Sequence, residues 1–225
     1  MYRFDTHVHT AETSPCGNVG AARTVQLYRE AGFSGLCITD HYNRSYFDAW
    51  HCADWDGTVE RFLMGYRKAK EAGDACGMDI LLGAELMLDG SPNEYLLFGL
   101  TEEFLFRCPA LYQYSLSQVK AMTETEGMTI FQAHPFRPGL TRAEPGCLDG
   151  VEIVNGNCRH NSKNPLAARF AEENGLLVSG GSDCHETEDV GRSGIVTPRR
   201  ITDHSVLNET LKTGALTVIP FESDR

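Results

Sequence analysis

The stretch YRFDTHVHTAETSPCG, residues 2–17, joins a β-like run to a cluster of side chains able to bind metal ions. Tyr2 to Val8 has the aromatic and β-branched content of a buried strand. Side chains alternate with period two along a strand, so His7 and His9 share a face, and Asp5 is expected to share it with them. Neutral imidazoles beside carboxylates suit zinc, manganese or iron, whereas an all-oxygen set would suit magnesium or calcium. Glu12 and Cys16 follow within a few residues, each a candidate for a further ligand.

Outward from this stretch the same kind of strand recurs. FSGLCIT (33–39), DILLGAEL (79–86), EYLLFGL (94–100), MTIFQAH (128–134), GVEIVN (150–155) and LLVSGGS (176–182) all read as buried strands. Amphipathic spacing predicts helices over 21–31, 59–72, 164–174 and 203–213, the last two stopped by Gly175 and Gly214. Strands alternating with helices imply a parallel sheet or barrel. The least regular segment, HYNRSYFDAWHCADWDG (41–57), reads as a long aromatic loop over the sheet.

Polar residues fall at the carboxyl ends of these strands: His7 and His9, Asp40 and His41, Glu85, His134, Asn155, then Asp183 and His185. In a β/α barrel those ends open onto one face, so residues far apart in sequence are expected to converge there as a metal site. Composition sets the remaining bounds. With 225 residues, 41% hydrophobic and 23% charged, the chain is expected to form a single barrel domain over 1–225. No apolar run reaches the ~20 residues of a membrane span, and MYRFDTHVHT lacks the pattern of a secretory signal, so no membrane association and a cytoplasmic location are expected. Eight cysteines without a C-x-x-C pair fit free thiols in a reducing compartment. A net charge of −11 without a basic stripe argues against polymeric nucleic acid as a partner. Neither a G-x-S-x-G elbow, a phosphate-binding GK[ST] loop nor a His-Glu-x-x-His helix is present.

Taken together and in order, DTHVHT, ITDH, GAE, AHP and GSDCHE resemble the motifs of the PHP (polymerase and histidinol phosphatase) superfamily, from residue 5 to about residue 198. The resemblance implies a distorted (β/α)7 barrel with two or three divalent ions (zinc, manganese or iron) at its carboxyl face. It also implies hydrolysis of phosphate esters. Carried over by motif, it makes His7, His9, Glu85 and Asp183 ligands of a first ion. Glu85 bridges to a second, bound by His134, and His41 and His185 hold a third. Asp5 and Asp40 are expected to orient ligands from behind. Two positions depart from the family's pattern. The histidine that many relatives carry between GAE and AHP is missing, and Tyr95, Glu94 or Asn93 stands near its place. The residue that follows HxHT in relatives as a ligand of the third ion is here Glu12, with Cys16 as the alternative.

Arg137, Arg159, His160, Lys163 and Arg192 fall in loops just beyond strand ends and are candidates for gripping phosphate. The expected function is hydrolysis of a small phosphomonoester, with Asp183, His185 and Arg137 taking part in the chemistry. The alternatives are a non-catalytic metal-binding module, favoured by the missing histidine, and a metal hydrolase of the amidohydrolase kind.

Overall fold

Residues 1–221 are described by the computed structural model; the last four positions of the expected 1–225 domain lie outside them. β1 (Tyr2–Val8) is buried from Phe4 onward, and α1 (Ala21–Glu30) carries the chain back to β2 (Gly35–Ile38), which pairs parallel with β1. β3 (His41–Tyr42), α2 (Arg44–Trp50) and α3 (Trp55–Cys76) precede β4 (Asp79–Met87), whose two halves pair parallel with β2 and β3. β5 (Glu94–Phe98) then turns back antiparallel to β4. α4 (Glu102–Arg107) and α5 (Leu116–Glu126) lead to β6 (Thr129–Gln132), antiparallel to β5. β7 (Gly150–Asn155), α6 (Asn164–Asn174) and β8 (Leu177–Gly181) resume the parallel order. β9 (Ile195–Thr197), α7 (His204–Thr213) and β10 (Thr217–Val218) follow.

The sheet runs β10-β9-β1-β2-β4-β5-β6-β7-β8 and curls until its ends nearly meet. This is the expected distorted barrel, and the distortion has a definite form: one of its seven staves, β5, runs against the others. Closure is incomplete because β9 occupies the amino half of the free edge of β1, pairing with Tyr2 to Phe4. Only the carboxyl half is left for β8. Among the described residues the backbone bridge there is Val8 to Cys184, just past the end of β8, reinforced by Thr6 Oγ1 donating to Gly180 O and by Ser182 N donating to Asp5 Oδ1. Gly181 permits the approach, since a Cβ at this position would stand 2.3 Å from the Cβ of His7.

The end of the barrel opposite the polar strand ends is closed by α7, whose Leu207 and Leu211 pack with Phe4, Phe98 and Phe131. Around the outside, α3 and α5 bury Leu63, Phe62 and Val119 against Leu97 and Ile130. The segment 41–57 is not the loop its irregular pattern predicts. Asn43 and Asp54 accept from Tyr46 N and Gly57 N and so start two helices, and Phe47 and Trp55 pack on Tyr42. α2, at seven residues, is too short for a search for periodicity to find, and α3 begins four residues before the periodic stretch that predicts it over 59–72. Among the described residues no helix is long and apolar enough to cross a membrane.

Because Gly181 allows β8 to lie against His7, G181A forces the seam apart. The expected cost is about 1–3 kcal/mol, the range for overpacking a filled interior, read as a lower midpoint in denaturant unfolding of the metal-free protein. An unchanged midpoint would show that the seam tolerates a methyl group.

Candidate metal centre

His7 and His9 present their imidazoles on one side of β1, and the partners behind them fix which nitrogens face inward. His7 Nδ1 lies 2.9 Å from Glu152 Oε1 and donates to it. Ser14 Oγ donates to Asp40 Oδ1 at 2.7 Å and is left to accept from His9 Nδ1 at 3.3 Å. In the neutral rings both Nε2 atoms therefore carry lone pairs, and they face each other at 3.1 Å. Carboxylate oxygens of Glu85 and Asp183 stand 3.3–3.5 Å from them. Ligand atoms lie about 2.0–2.3 Å from a shared ion, so they sit about 3–3.5 Å from one another. These four side chains have that spacing.

Glu85 extends the cluster in two directions. Its Oε1 is 3.0 Å from His134 Nε2, and its Oε2 is 3.0 Å from His41 Nδ1. Glu94 approaches the same two imidazoles, with oxygens 3.6 Å from each. On the other flank, ring nitrogens of His9, His41 and His185 come within 4.8 Å of one another. Seven of the eight residues expected to hold metal are thus brought together: His7, His9, His41, Glu85, His134, Asp183 and His185. The eighth is not. Glu12 turns away to cap α1, its Oε2 accepting from Ala21 N at 2.8 Å, with Lys68 at 3.5 Å. Cys16 stands at the cluster instead, its Sγ 3.2 Å from His185 Nε2.

Two residues that sequence reasoning left aside or missed belong here. Glu94, named only as one of three substitutes for the absent histidine, is the one that reaches the cluster, while Asn93 bonds Thr141 and Tyr95 lies buried in the hydrophobic core. Glu152 was missed. From within β7 it orients His7 and accepts from His134 N and Asn155 Nδ2, and its buried acidic place in an apolar strand was the available signal. The expectation for Asp5 needs correcting. The strand register shifts between Asp5 and Val8, which breaks the period-two alternation. Asp5 accepts from Tyr28 of α1, from Ser182 N and from His7 N, so it anchors backbone and not an imidazole ring. Asp40 acts from behind as expected, but on His9 through Ser14, and it also accepts from Thr10.

The cationic candidates divide. Arg137 lines the cavity above the cluster, its Nη2 donating to Asp183 Oδ2 at 2.6 Å and Asn155 Oδ1 at 3.0 Å. His160 lines it as well. Arg159 is also at the rim, but its guanidinium is gripped by both oxygens of buried Asp189. Lys163 and Arg192 line a separate neighbouring cavity, and Arg192 donates to Glu188 O.

The charges show what the cluster lacks. Burial alone would drive protons off His7 and His41, yet the facing carboxylates outweigh it and hold both well above the usual histidine range. Glu94 is pushed up by burial and by the charge of Glu85 beside it. Glu85 Oε2 is buried without a hydrogen-bond partner. His134 and Asp183 hold φ of 28° and 53°, a left-handed backbone that non-glycine residues adopt at a cost of order 1–3 kcal/mol. Divalent ions fit this donor set, with Glu85 placed between His7 and His9 on one side and His134 on the other.

Comparison with known proteins agrees with this geometry. The family model described as PHP domain matches residues 5–137, more than half of the chain, and a second, described as PHP-associated, matches 161–216. No curated protein sequence matches the chain. Among solved structures, a two-domain protein from Bacteroides vulgatus containing a predicted PHP-like metal-dependent phosphoesterase is similar with a TM-score of 0.70 at 17% identity, over 98% of this chain. The chain spans 65% of that protein's length. PsfC from Pseudomonas syringae is similar with a TM-score of 0.68 at 21% identity, over 99% of this chain and 93% of that one. The lesion-specific endonuclease EndoQ from Pyrococcus furiosus gives 0.56 at 13% identity, over 96% and 57%. At these identities the likeness is one of fold.

Since Glu152 fixes the tautomer of His7, E152Q is expected to weaken metal binding about 10–100-fold, the usual effect of losing such a partner, measured by competition with a chelating dye. Binding by raised-pKa imidazoles must displace protons, so affinity is expected to rise with pH and proton release to accompany binding in calorimetry across buffers. In the metal-free protein the sign reverses. Protonated His7 and His41 contribute stability that is complete below the ordinary histidine value of 6.5 and lost as pH rises through their raised folded values.

Proposed function

The chain belongs to the PHP domain family of metal-dependent hydrolases, and from that premise we propose that it hydrolyses a small phosphomonoester at the cluster of His7, His9, His41, Glu85, Glu94, His134, Asp183 and His185. The observation that carries this reading is the pair of inward lone pairs on His7 and His9 Nε2, 3.1 Å apart between two carboxylates, beneath a cavity that also presents an arginine. That cavity has a volume of about 400 Å³, in the range of sites that enclose small molecules. Asn43, Ser45 and Tyr46, from the aromatic segment, form part of its wall.

Bound divalent ions supply a water of lowered pKa and positive charge for the phosphoryl oxygens. The protein's own groups do the rest. Arg137 lines the cavity with its Nη2 spent on Asp183 and Asn155, which leaves Nη1 to donate to a phosphoryl oxygen. Burial would raise the pKa of Asp183, but His7, His185 and Arg137 hold it well below the usual carboxylate range, so it stays ionised and available to a cation. His185, whose Nε2 lies against Cys16, is assigned to cation binding. His160 offers a polar contact at the rim, and Arg159 supports the Asp183 to Asp189 turn through its ion pair. Glu94 at the place of the absent histidine removes the reason for a non-catalytic module.

The rival substrate is nucleic acid, because EndoQ, a lesion-specific endonuclease, shares the fold. A net charge of −11 speaks against holding a polyanion and favours the small substrate. Protein reloaded with manganese, zinc or iron is expected to turn over members of a phosphomonoester panel and to leave an abasic duplex intact. Silence on the whole panel, or nicking of the duplex, would replace this reading. R137A is expected to lower kcat/KM about 10²–10³-fold, the scale for removing one donor to developing charge, with metal content unchanged. R137K should recover part of it. Full activity in R137A would remove Arg137 from the chemistry.

A further inference from the structure

We propose that Cys16 is a thiolate ligand, completing with His41 and His185 a nitrogen–sulfur cation site that differs in kind from the carboxylate-rich positions around Glu85. The inference rests on reading the cluster as a metal centre and assigns a ligand within it. Cys16 Sγ is 3.2 Å from His185 Nε2 and within hydrogen-bonding reach of His41. One thiol has a single weak donor, yet two imidazoles converge on it. An ion at Zn–S about 2.3 Å and Zn–N about 2.0–2.1 Å would separate such atoms by about 3.5 Å, close to what is seen.

A second observation points to a cation beside Cys16: ring nitrogens of His9, His41 and His185 come within 4.8 Å of one another, and the carboxylate next to them lacks a partner. Glu85 Oε2 is buried, accepts no hydrogen bond, and is directed at His41 Nδ1 and His9 Nε2, 3.0 and 3.3 Å away. An ionised oxygen in that setting is costly unless positive charge meets it. The thiol is also held in place. Gly17 N donates to Ser14 O, Asn18 N donates to the carbonyl of His185, and Ser14 is fixed by Asp40. Sulfur is a soft donor and selects zinc-like ions, whereas Glu85, Glu94 and His134 form a harder set suited to manganese or iron.

Cobalt(II) tests this without reference to turnover, because a thiolate bound to cobalt gives a near-ultraviolet charge-transfer band that nitrogen and oxygen ligands do not. Cobalt-loaded wild-type protein is expected to show the band. C16A is expected to lose it together with about one equivalent of metal, while circular dichroism stays unchanged. C16H, which offers nitrogen for sulfur, is expected to restore the lost equivalent without the band. A band that survives in C16A would assign it to another of the eight cysteines and overturn the proposal. Cobalt binding with visible ligand-field bands but no charge-transfer band in the wild type would also overturn it, leaving the metal centre intact. Failure of the wild type to bind cobalt at all would sink both.

Discussion

Everything at the open end of this barrel depends on the mutual repulsion of groups that the fold nevertheless buries together. Glu85 and Asp183 are 1% exposed, and the imidazoles of His7, His9 and His134 are no more so. Without a cation, protons must substitute for it, and the facing carboxylates hold them on His7 and His41. A buried ionic set of this kind adds little to stability by itself. Its retention is explained by what it can bind.

The support behind the cluster is more elaborate than the cluster. Glu152 reaches His7, Ser14 and Asp40 reach His9, and Asp189 accepts from the backbone of both His185 and Glu186 while it grips Arg159. Each contact uses a carboxylate or hydroxyl to spend the outward nitrogen or amide, so the inward atom is free. The left-handed turns at His134 and Asp183 belong to the same scheme. Two residues are held in uncommon backbone conformations because the barrel on either side dictates where their side chains point.

Much of this was legible in sequence, for a reason that also marks its limit. The rule that functional residues stand at the carboxyl ends of strands located His7, His9, His41, Glu85, His134, Asp183 and His185, because it holds for parallel strands. β5 is antiparallel, so its first residue, Glu94, lies at the face where its neighbours end, and the rule passes over it. Glu152 sits inside a strand and the rule is silent about it. Alternation failed at Asp5 because a register shift cannot be read from period two. By chemistry Glu12 stood ahead of Cys16, since a carboxylate is already ionised. The close approach of Cys16 to His185, with Glu12 spent on a helix cap, reverses that order.

The seam between β1 and β8 has one further consequence. Asp5 and Ser182, hydrogen-bonded across it, are 177 positions apart in the chain, and among the described residues a single backbone bridge, Val8 to Cys184, closes it. His7 and His9 stand on one side of that seam, Asp183 and His185 on the other. An ion held by both sets would act as a rivet across this joint, closing a loop of most of the chain. Loading the site and locking the barrel would then be a single thermodynamic event, in which the chemistry of the centre also serves as the clasp of the fold.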